Sequence, residues 1–179
     1  TVHFPIWHKE IEDIIVLKNN KGTEDNRVRK LDYSIQLSKL FYERFINDED
    51  ITLFSPHEVP ELYESWGTLE FDDLYLTAER KTSVSKKKVS AQSLFFDMLK
   101  ERAETGRIYI MNIDHCNTHS SFKDRIYMSN LCQEITLPTD PIQHIDGQGE
   151  IALCILSAIN VGKVSYLEDL ESLCDLAVR

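Results

Sequence analysis

An amide, a thiol and a carboxylate occupy alternate positions in one short segment, as Asn130, Cys132 and Glu134. Side chains alternate with a period of two along an extended backbone, so these three would point to the same side. They would then offer a hydrogen-bond donor, a sulfur and a base to one bound molecule. A second sulfur, Cys154, ends the run Gly149–Cys154, which we interpret as a buried strand. The spacing therefore indicates a site that combines thiol chemistry with proton transfer.

The elements around these residues predict an α/β fold. The clearest helix is predicted over Ser90–Glu104, with Ser90 as its N-cap and Gly106 as its stop. A strand follows directly over residues 107–113, and this succession of helix, short turn and strand is typical of α/β proteins. The predicted buried stripe of the helix consists of Leu94, Phe95, Met98, Leu99 and Ala103.

Apolar periodicity predicts the remaining elements more coarsely. We expect a helix that begins at Pro5 and carries Ile6, Trp7, Ile11, Ile14, Ile15 and Leu17, ended near a turn at Gly22. Further on we expect a strand at Tyr33–Leu37 with a helix whose core is Leu40, Phe41 and Phe45, a strand at Ile51–Phe54, helices near Pro60–Trp66 and Leu69–Arg80, and a helix from Leu167.

Composition restricts the class of protein. The chain has 179 residues, enough for one domain with a core, and a formal charge of −10, which argues against a nucleic-acid or anionic membrane partner. Its basic run, Arg80-Lys81 with Lys86–Lys88, is expected to be a solvated connection between helices. No stretch approaches the roughly 20 apolar residues of a membrane span. The four cysteines are expected to be thiols, and we predict a cytoplasmic protein.

The run Ser129–Thr139, followed by Gly149–Cys154, resembles the large, catalytic subunit of class I ribonucleotide reductases. The resemblance extends along the whole chain. Other matching runs are Phe4–His8, Leu17–Gly22, Asp50–His57, Thr105–Ile110 and Asp114–His119.

This resemblance implies a fold. Members are expected to form a ten-stranded α/β barrel of two antiparallel halves, each with five parallel strands, and a central loop carries the radical cysteine. Ser129–Pro138 would be that loop. We expect residues 1–179 to be a partial barrel domain cut at both ends, because family subunits are several times longer, the chain opens on Thr1 rather than Met, and its last leucines show helical spacing without a stop.

The resemblance also implies roles for individual residues. Cys132 would become a transient thiyl radical that removes hydrogen from C3′ of a ribose. Glu134 would take the proton of the 3′-hydroxyl, and Asn130 would hold the sugar hydroxyls beside Leu131, so that Asn130, Leu131 and Glu134 contact substrate. Cys154 would be half of the reducing thiol pair, with its partner upstream of Thr1. Cys116 and Cys174 match no family catalytic position and are interpreted as structural thiols.

Partners and cofactors follow from the same resemblance. The implied activity is reduction of ribonucleoside diphosphates to deoxyribonucleoside diphosphates for DNA precursor synthesis. No metal or cofactor is expected in this segment. The radical would come from a metal-containing small subunit and the electrons from a dithiol protein, thioredoxin or glutaredoxin, under control of nucleotide effectors. We expect a homodimer of large subunits and contacts with the remaining parts of the same subunit.

Other interpretations of these residues stay open. The segment could be catalytically inert, or serve only assembly by complementing a split reductase, and alone we expect it to be inactive. A class II reductase using adenosylcobalamin would share the triplet. Cys116-x-x-His119 could suggest zinc, but one such pair is weak evidence. A papain-like protease lacks its local signature around the cysteine. A lone cysteine is more often a small buried hydrophobe, a lone glutamate a surface acid, and a lone asparagine a loop former.

Overall fold

The computed structural model describes residues 1–142, 144, 145 and 147–179, with the backbone alone at residue 26. In that part of the chain the strands are β1 (Val2–Pro5), β2 (Tyr33–Leu37), β3 (Asp50–Phe54), β4 (Lys86–Ser90) and β5 (Tyr109–Asn112). The helices are α1 (Ile11–Ile15), α2 (Lys39–Ile46), α3 (Pro60–Glu64), α4 (Phe71–Arg80), α5 (Ala91–Thr105), α6 (Ile113–Thr118) and α7 (Asp169–Val178), and Glu24–Asn26 and Val161–Lys163 form single 3-10 turns.

A three-stranded parallel sheet organises the fold, in the order β1-β2-β5. The central strand β2 is buried along its whole length, as expected for a parallel strand covered on both faces. Its register places Ile35 beside Phe4 on β1 and beside Ile110 on β5. The mixed α/β class predicted from the sequence is confirmed.

The two faces of this sheet differ in polarity. Residues in register share a face, so Phe4, Ile35 and Ile110 lie together on an apolar face. The opposite face carries His3 on β1 and two alternate residues of β2, Ser34 and Gln36. All three β2 residues named here are buried, so the polar face must be covered by a segment that can form hydrogen bonds.

A second, antiparallel sheet pairs β3 with β4. The basic run was predicted to be a solvated connection, and this prediction is wrong for Lys86–Lys88, which form most of β4. Lys86 is half-buried and its Nζ donates to the carbonyl oxygens of Glu79 and Lys81, while Lys87 and Lys88 are exposed. Pairing with the apolar strand β3 stabilises an extended conformation that lysine-rich composition alone does not suggest.

The core is richest in aromatic side chains where the end of β1 meets α3 and α4. Trp66 and Phe71 pack edge to face with ring centroids 4.6 Å apart, and Trp7 contacts both rings. Phe54 and Tyr75 continue the cluster at 5.5 Å. All five side chains are buried, and full burial of each contributes about 1.5–3 kcal/mol.

The helices agree with the sequence in most respects. Ser38 caps α2, Ser90 caps α5 by accepting from Ser93 N, and Gly106 ends α5 in the left-handed conformation at φ 65°. The predicted stripe of α5 is corrected at its C-terminal end. Ala103 is exposed, and the buried position is Glu101, whose carboxylate accepts two hydrogen bonds from Asn19 Nδ2 at 2.6 and 2.7 Å.

Two predicted elements are wrong. Pro5 does not begin a helix but ends β1, because the flanking backbone pairs with β2 and Ile6 N donates to Gln36 O at 3.0 Å. Proline is tolerated there because β1 is an outer strand of the described sheet. Gly149–Cys154 is not a buried strand. Only Glu150 pairs, in an isolated bridge with Asp140, and Ile151–Cys154 are exposed, since no described strand offers them a ladder.

Candidate active site

The segment that carries the predicted triplet is a loop closed on itself. Ile135 N donates to Asn130 Oδ1 at 3.0 Å, and Asn130 N donates to Ile135 O at 3.4 Å. Ser129 Oγ also donates to Ile135 O, at 2.6 Å. We call residues 129–135 the closed loop. Its two ends are held together by the side chains of Ser129 and Asn130.

The backbone of the closed loop is turned rather than extended. Gln133 N donates to Asn130 O at 3.2 Å, which places Leu131 and Cys132 at the corners of a turn, and Gln133 has φ 63°. The side chains of Asn130, Cys132 and Glu134 would share one side only on an extended backbone, and the turn shows that the backbone is not extended. Local hydrogen bonds from Ser129 and Asn130 satisfy the backbone in place of a strand ladder.

The closed loop is tied to the parallel sheet at both sides of its turn. His3 Nε2 lies 3.2 Å from both the amide nitrogen and the carbonyl oxygen of Ser129. On the other side, Gln133 Nε2 donates to Ile110 O on β5 at 2.5 Å. Strands β1 and β5 thus position the loop through side chain–backbone hydrogen bonds.

The chain that leads into the closed loop is fixed by β2. Gln36 Nε2 donates to Tyr127 O at 2.7 Å, and Gln36 Oε1 accepts from Trp66 Nε1 at 2.7 Å. Asn117 on α6 accepts from Ile126 N at 2.8 Å and donates to Ile126 O at 3.0 Å. This segment is what covers the polar face of the sheet, and it satisfies the buried amide of Gln36.

A cavity of about 390 Å³ lies between the closed loop and the segment that follows it. Asn130 and Glu134 line it from the loop, and Cys154 lines it from the segment that follows. The remaining lining residues are mainly apolar: Met128, Ser129, Ile135, Leu137, Thr139, Ile151, Ala152, Leu153 and Leu156. The arrangement offers a carboxylate, an amide and a thiol to one bound molecule.

The structure does not bring all the predicted residues to this cavity. Cys132 and Leu131 lie at the corners of the turn, exposed, with Leu131 54% accessible, and neither lines the cavity. Asn130 is half-buried, while Glu134 and Cys154 are exposed. Three of the four residues proposed for catalysis, Asn130, Glu134 and Cys154, therefore line one cavity. Cys132 does not line it, although it lies between Asn130 and Glu134 in the chain.

His3, which contacts the base of the closed loop at Ser129, has a shifted pKa. Burial lowers the pKa of His3 below its usual value, although the hydrogen bond with Ser129 opposes this shift. With the proton on Nδ1, Nε2 of neutral His3 can accept from Ser129 N, and with the proton on Nε2 it can donate to Ser129 O.

The other two cysteines differ from each other. Cys116 on α6 is half-buried against the core, and burial raises the pKa of its thiol. Cys174 on α7 is exposed. Its exposure does not support the predicted role of a structural thiol packed in the core. Among the described residues no group of three or more histidine, cysteine or acidic side chains is placed to hold a metal ion. The helices in that same part of the chain are also too short or too polar to cross a membrane.

Comparison with known proteins identifies the family. A family model for the ribonucleotide reductase barrel domain matches residues 1–179. The chain belongs to the ribonucleotide reductase barrel-domain family. This confirms the resemblance drawn from the closed loop and the runs around it.

Relatives of this reductase segment match it along its length. The alpha subunit of ribonucleoside-diphosphate reductase from Haemophilus influenzae is 54% identical over 185 residues, 100% of this chain and 24% of that subunit. The alpha subunit of reductase 1 from Escherichia coli is 52% identical over 147 residues, 79% of this chain and 19% of that subunit. The alpha subunit from Enterobacteria phage T4 is 43% identical over 183 residues, 99% of this chain and 24% of that subunit. The chain spans about a quarter of the length of the Haemophilus influenzae subunit and about a fifth of the Escherichia coli subunit.

Sequence reasoning missed the residues that hold this reductase loop in place. The sequence alone did not identify His3, Gln36 or Gln133. His3 and Gln36 are polar residues between apolar neighbours, and Gln133 lies between Cys132 and Glu134. The signal for Gln36 was available, since a glutamine between Ile35 and Leu37 in a central strand needs a buried partner. The contacts of His3 and Gln133 span 126 and 23 residues and leave no local pattern.

Proposed function

We propose that this chain is the catalytic segment of a ribonucleoside-diphosphate reductase large subunit, which reduces ribonucleoside diphosphates to deoxyribonucleoside diphosphates by thiyl-radical chemistry. The observation that carries the proposal is the cavity shared by Asn130, Glu134 and Cys154 beside the turn that bears Cys132. Membership of the reductase family supports the same chemistry.

The proposed architecture of the whole subunit is a ten-stranded barrel of two antiparallel halves of five parallel strands. The three parallel strands β1, β2 and β5 would belong to one half. The closed loop lies against the polar face of that sheet, as a loop threading the barrel centre would. The exposed apolar residues Ile151, Leu153 and Ile155 would pack against barrel elements contributed by the rest of the subunit.

Cys132 is proposed to start the reaction as a thiyl radical. Its sulfur removes a hydrogen atom from C3′ of the ribose, which forms the Cys132 S–H bond and leaves a carbon radical at C3′. The position of Cys132 at an exposed turn corner supports this role, because the thiol is accessible instead of packed in the core. A small subunit would generate this radical by oxidising the Cys132 thiol by one electron with loss of its proton.

Glu134 and Asn130 are proposed to handle the sugar hydroxyls, with Leu131 beside the substrate. Glu134 takes the proton of the 3′-hydroxyl while the 2′-hydroxyl leaves as water, and this requires a carboxylate within hydrogen-bond reach of the sugar. Both residues line the cavity, which supports their common access to one ribose. Asn130 Oδ1 is used in loop closure, so its amide Nδ2 is the group proposed to bind a hydroxyl.

Cys154 is proposed to supply reducing equivalents with a second thiol from elsewhere in the subunit. Two thiols lose two electrons and two protons and form a disulfide. One of these protons leaves with the 2′-hydroxyl as water, and the other hydrogen forms the C2′–H bond that replaces the broken C2′–O bond. Cys132 then returns its hydrogen to C3′, which regenerates the thiyl radical, and Glu134 returns its proton to the 3′-oxygen. A dithiol protein such as thioredoxin or glutaredoxin would reduce the disulfide again. Nucleotide effectors and a second large subunit complete the proposed assembly.

Turnover by the full-length subunit tests the proposal. With a radical-bearing small subunit and a dithiol reductant, we expect formation of deoxyribonucleoside diphosphate that Cys132→Ser abolishes. Cys116→Ser is the matched control, because Cys116 is a half-buried thiol on α6 outside the cavity, and it should retain turnover. We expect the 179-residue segment alone to be inactive, since it lacks the radical source. Undiminished turnover by Cys132→Ser would overturn the proposal.

A further inference from the structure

Gln133 lies between the two residues proposed to react and points away from both. It is half-buried, and its Nε2 donates to Ile110 O at 2.5 Å, whereas its neighbours Cys132 and Glu134 are exposed. We call this hydrogen bond the tether and the turn at residues 131–133 the tip of the closed loop. The tether joins residues 23 positions apart in the chain and links the tip to strand β5 of the parallel sheet. Gln133 is thus bonded to the sheet, while the side chains of Cys132 and Glu134 on either side of it are exposed.

The backbone at Gln133 is held in an unfavourable conformation. Its φ of 63° lies in the left-handed region, which a glutamine rarely adopts and which glycine or asparagine occupies more readily. Such a conformation persists only where surrounding interactions determine it. Here those interactions are the bond from Gln133 N to Asn130 O and the bond from the Gln133 side chain to Ile110.

The other contacts of the closed loop leave its tip dependent on Gln133. Asn130 and Ser129 join the two ends of the loop, and His3 holds the first end at Ser129. At the turn itself, Leu131 O accepts from Thr1 Oγ1 at 2.8 Å, but this bond is exposed and competes with water. The Gln133 bond is the partly buried contact between the tip and the sheet.

We propose that Gln133 is a positioning residue that fixes the direction of Cys132 and Glu134 relative to bound substrate. The inference rests on the proposed function. Loss of the tether lets the turn rotate about its closed base, so the sulfur of Cys132 moves with respect to the hydrogen it removes. A displacement of about 1 Å at a reacting group lowers the rate by about 100-fold. Binding of the nucleotide is affected less, because Asn130 at the base of the closed loop keeps its bond with Ile135.

Three substitutions in the full-length subunit test this role. Gln133→Met keeps the length of the side chain without a donor. Gln133→Asn suits the left-handed backbone better but is one methylene too short to reach Ile110. Gln133→Lys restores an N–H donor at sufficient reach. We expect Gln133→Met and Gln133→Asn to lower kcat about 10- to 100-fold, with KM for the nucleoside diphosphate within about two-fold of the unsubstituted value. Gln133→Lys should retain most of kcat.

A second readout separates positioning from a merely structural role. With substrate deuterated at C3′, the isotope effect on kcat should rise in the Met and Asn variants, because hydrogen transfer becomes rate-limiting when the thiyl sulfur is misplaced. Loss of stability alone would reduce the folded fraction and leave the isotope effect of the remaining enzyme unchanged. If the Met variant does not fold, the Asn variant carries the test, because it relieves the backbone at Gln133.

The outcomes distinguish this inference from the function on which it rests. Wild-type kcat in both the Met and Asn variants, with Cys132→Ser inactive, would overturn the role of Gln133 and leave the proposed function standing. An unsubstituted subunit that forms no deoxyribonucleotide, or an active Cys132→Ser variant, would overturn the proposed function and this inference with it.

Discussion

The side-chain oxygen Oδ1 of Asn130 accepts the backbone amide of Ile135 at 3.0 Å, and this bond closes the loop that carries Cys132 and Glu134. A residue proposed to bind substrate is thus also part of the loop's own framework. Its two polar atoms have separate tasks, because Oδ1 holds the loop and Nδ2 is proposed to meet a sugar hydroxyl.

These two tasks of Asn130 can be separated by substitution. Asn130→Asp keeps an acceptor for Ile135 N and loses the amide donor, whereas Asn130→Ala loses both. We expect hydrogen exchange at the Ile135 amide to become about 2- to 10-fold faster in the Ala variant and to stay slow in the Asp variant, since such a bond is worth about 0.5–1.5 kcal/mol. Turnover should fall in both. Unchanged protection of Ile135 in the Ala variant would show that Asn130 does not close the loop.

The ion pair between Arg44 on α2 and Glu79 on α4 is predicted to stabilise the packing of these helices beside β3. Arg44 donates to both carboxylate oxygens at 2.7 and 2.6 Å, and Thr52 Oγ1 adds a bond at 2.5 Å. The two side chains are only 12% and 15% exposed. Glu79→Gln leaves the guanidinium without its counter-charge, and we expect the free energy of unfolding to fall by about 2–4 kcal/mol.

Glu61→Gln is the matched control for this prediction. Glu61 pairs with Lys81 at 2.7 Å, but these side chains are 34% and 44% exposed, so the loss should be about 0–1 kcal/mol. Urea denaturation of both variants measures the difference. Burial alone would raise the pKa of Glu79, but the hydrogen bonds from Arg44 and Thr52 outweigh it and lower the pKa. This stabilisation is therefore present above the usual glutamate pKa and is lost as the pH falls. Equal losses in the two variants would contradict the account.

Stability should also depend on pH through His3. Burial lowers the pKa of His3 in the folded chain, so below pH about 6.5 the unfolded chain binds a proton that the folded chain does not. Stability is therefore complete above that pH and declines as the pH falls. Protonation also removes the acceptor for Ser129 N at the base of the closed loop.

His3→Gln provides the comparison for this pH dependence. We expect urea midpoints measured at pH 7.5 and 5.5 to differ less in the His3→Gln subunit than in the unsubstituted one. Burial also lowers the pKa of His8, and His8 is present in both proteins, so the difference isolates His3. An identical pH dependence in the two proteins would mean that partial burial does not keep His3 neutral in the folded chain.

The sequence predicts those elements whose signals are local. Ser90 and Gly106 mark the ends of α5 because an N-cap and a left-handed C-cap act within one helical turn. Tyr33–Leu37 is identified as a strand because apolar residues alternate along it and include an aromatic and a β-branched side chain, Tyr33 and Ile35. The family is identified because the runs around Cys132 and Cys154 are distinctive in themselves.

The errors concern segments whose conformation depends on distant partners. Pro5 satisfies the local preference for the start of a helix, but the ladder with β2 determines its conformation. Lys86–Lys88 are extended because β3 lies beside them. A local contact decides the third case: Asn130, Cys132 and Glu134 would share one side of an extended backbone, but the bond between Asn130 and Ile135 folds the segment into a loop. The tether from Gln133 to Ile110 has no local signal at all.

The central claim is that Cys132 and Cys154 act at different steps of one radical reduction. Product analysis after turnover of the full-length subunit, with Cys132→Ser, Cys154→Ser and Glu134→Gln variants, tests it most directly. We predict no turnover of substrate in Cys132→Ser, very slow normal turnover with nearly intact substrate binding in Glu134→Gln, and nucleotide decomposition products in Cys154→Ser, where hydrogen abstraction begins but the reducing pair is broken. Equal, small losses of normal product in Cys132→Ser and Cys154→Ser would contradict the account, since both cysteines would then be packing residues.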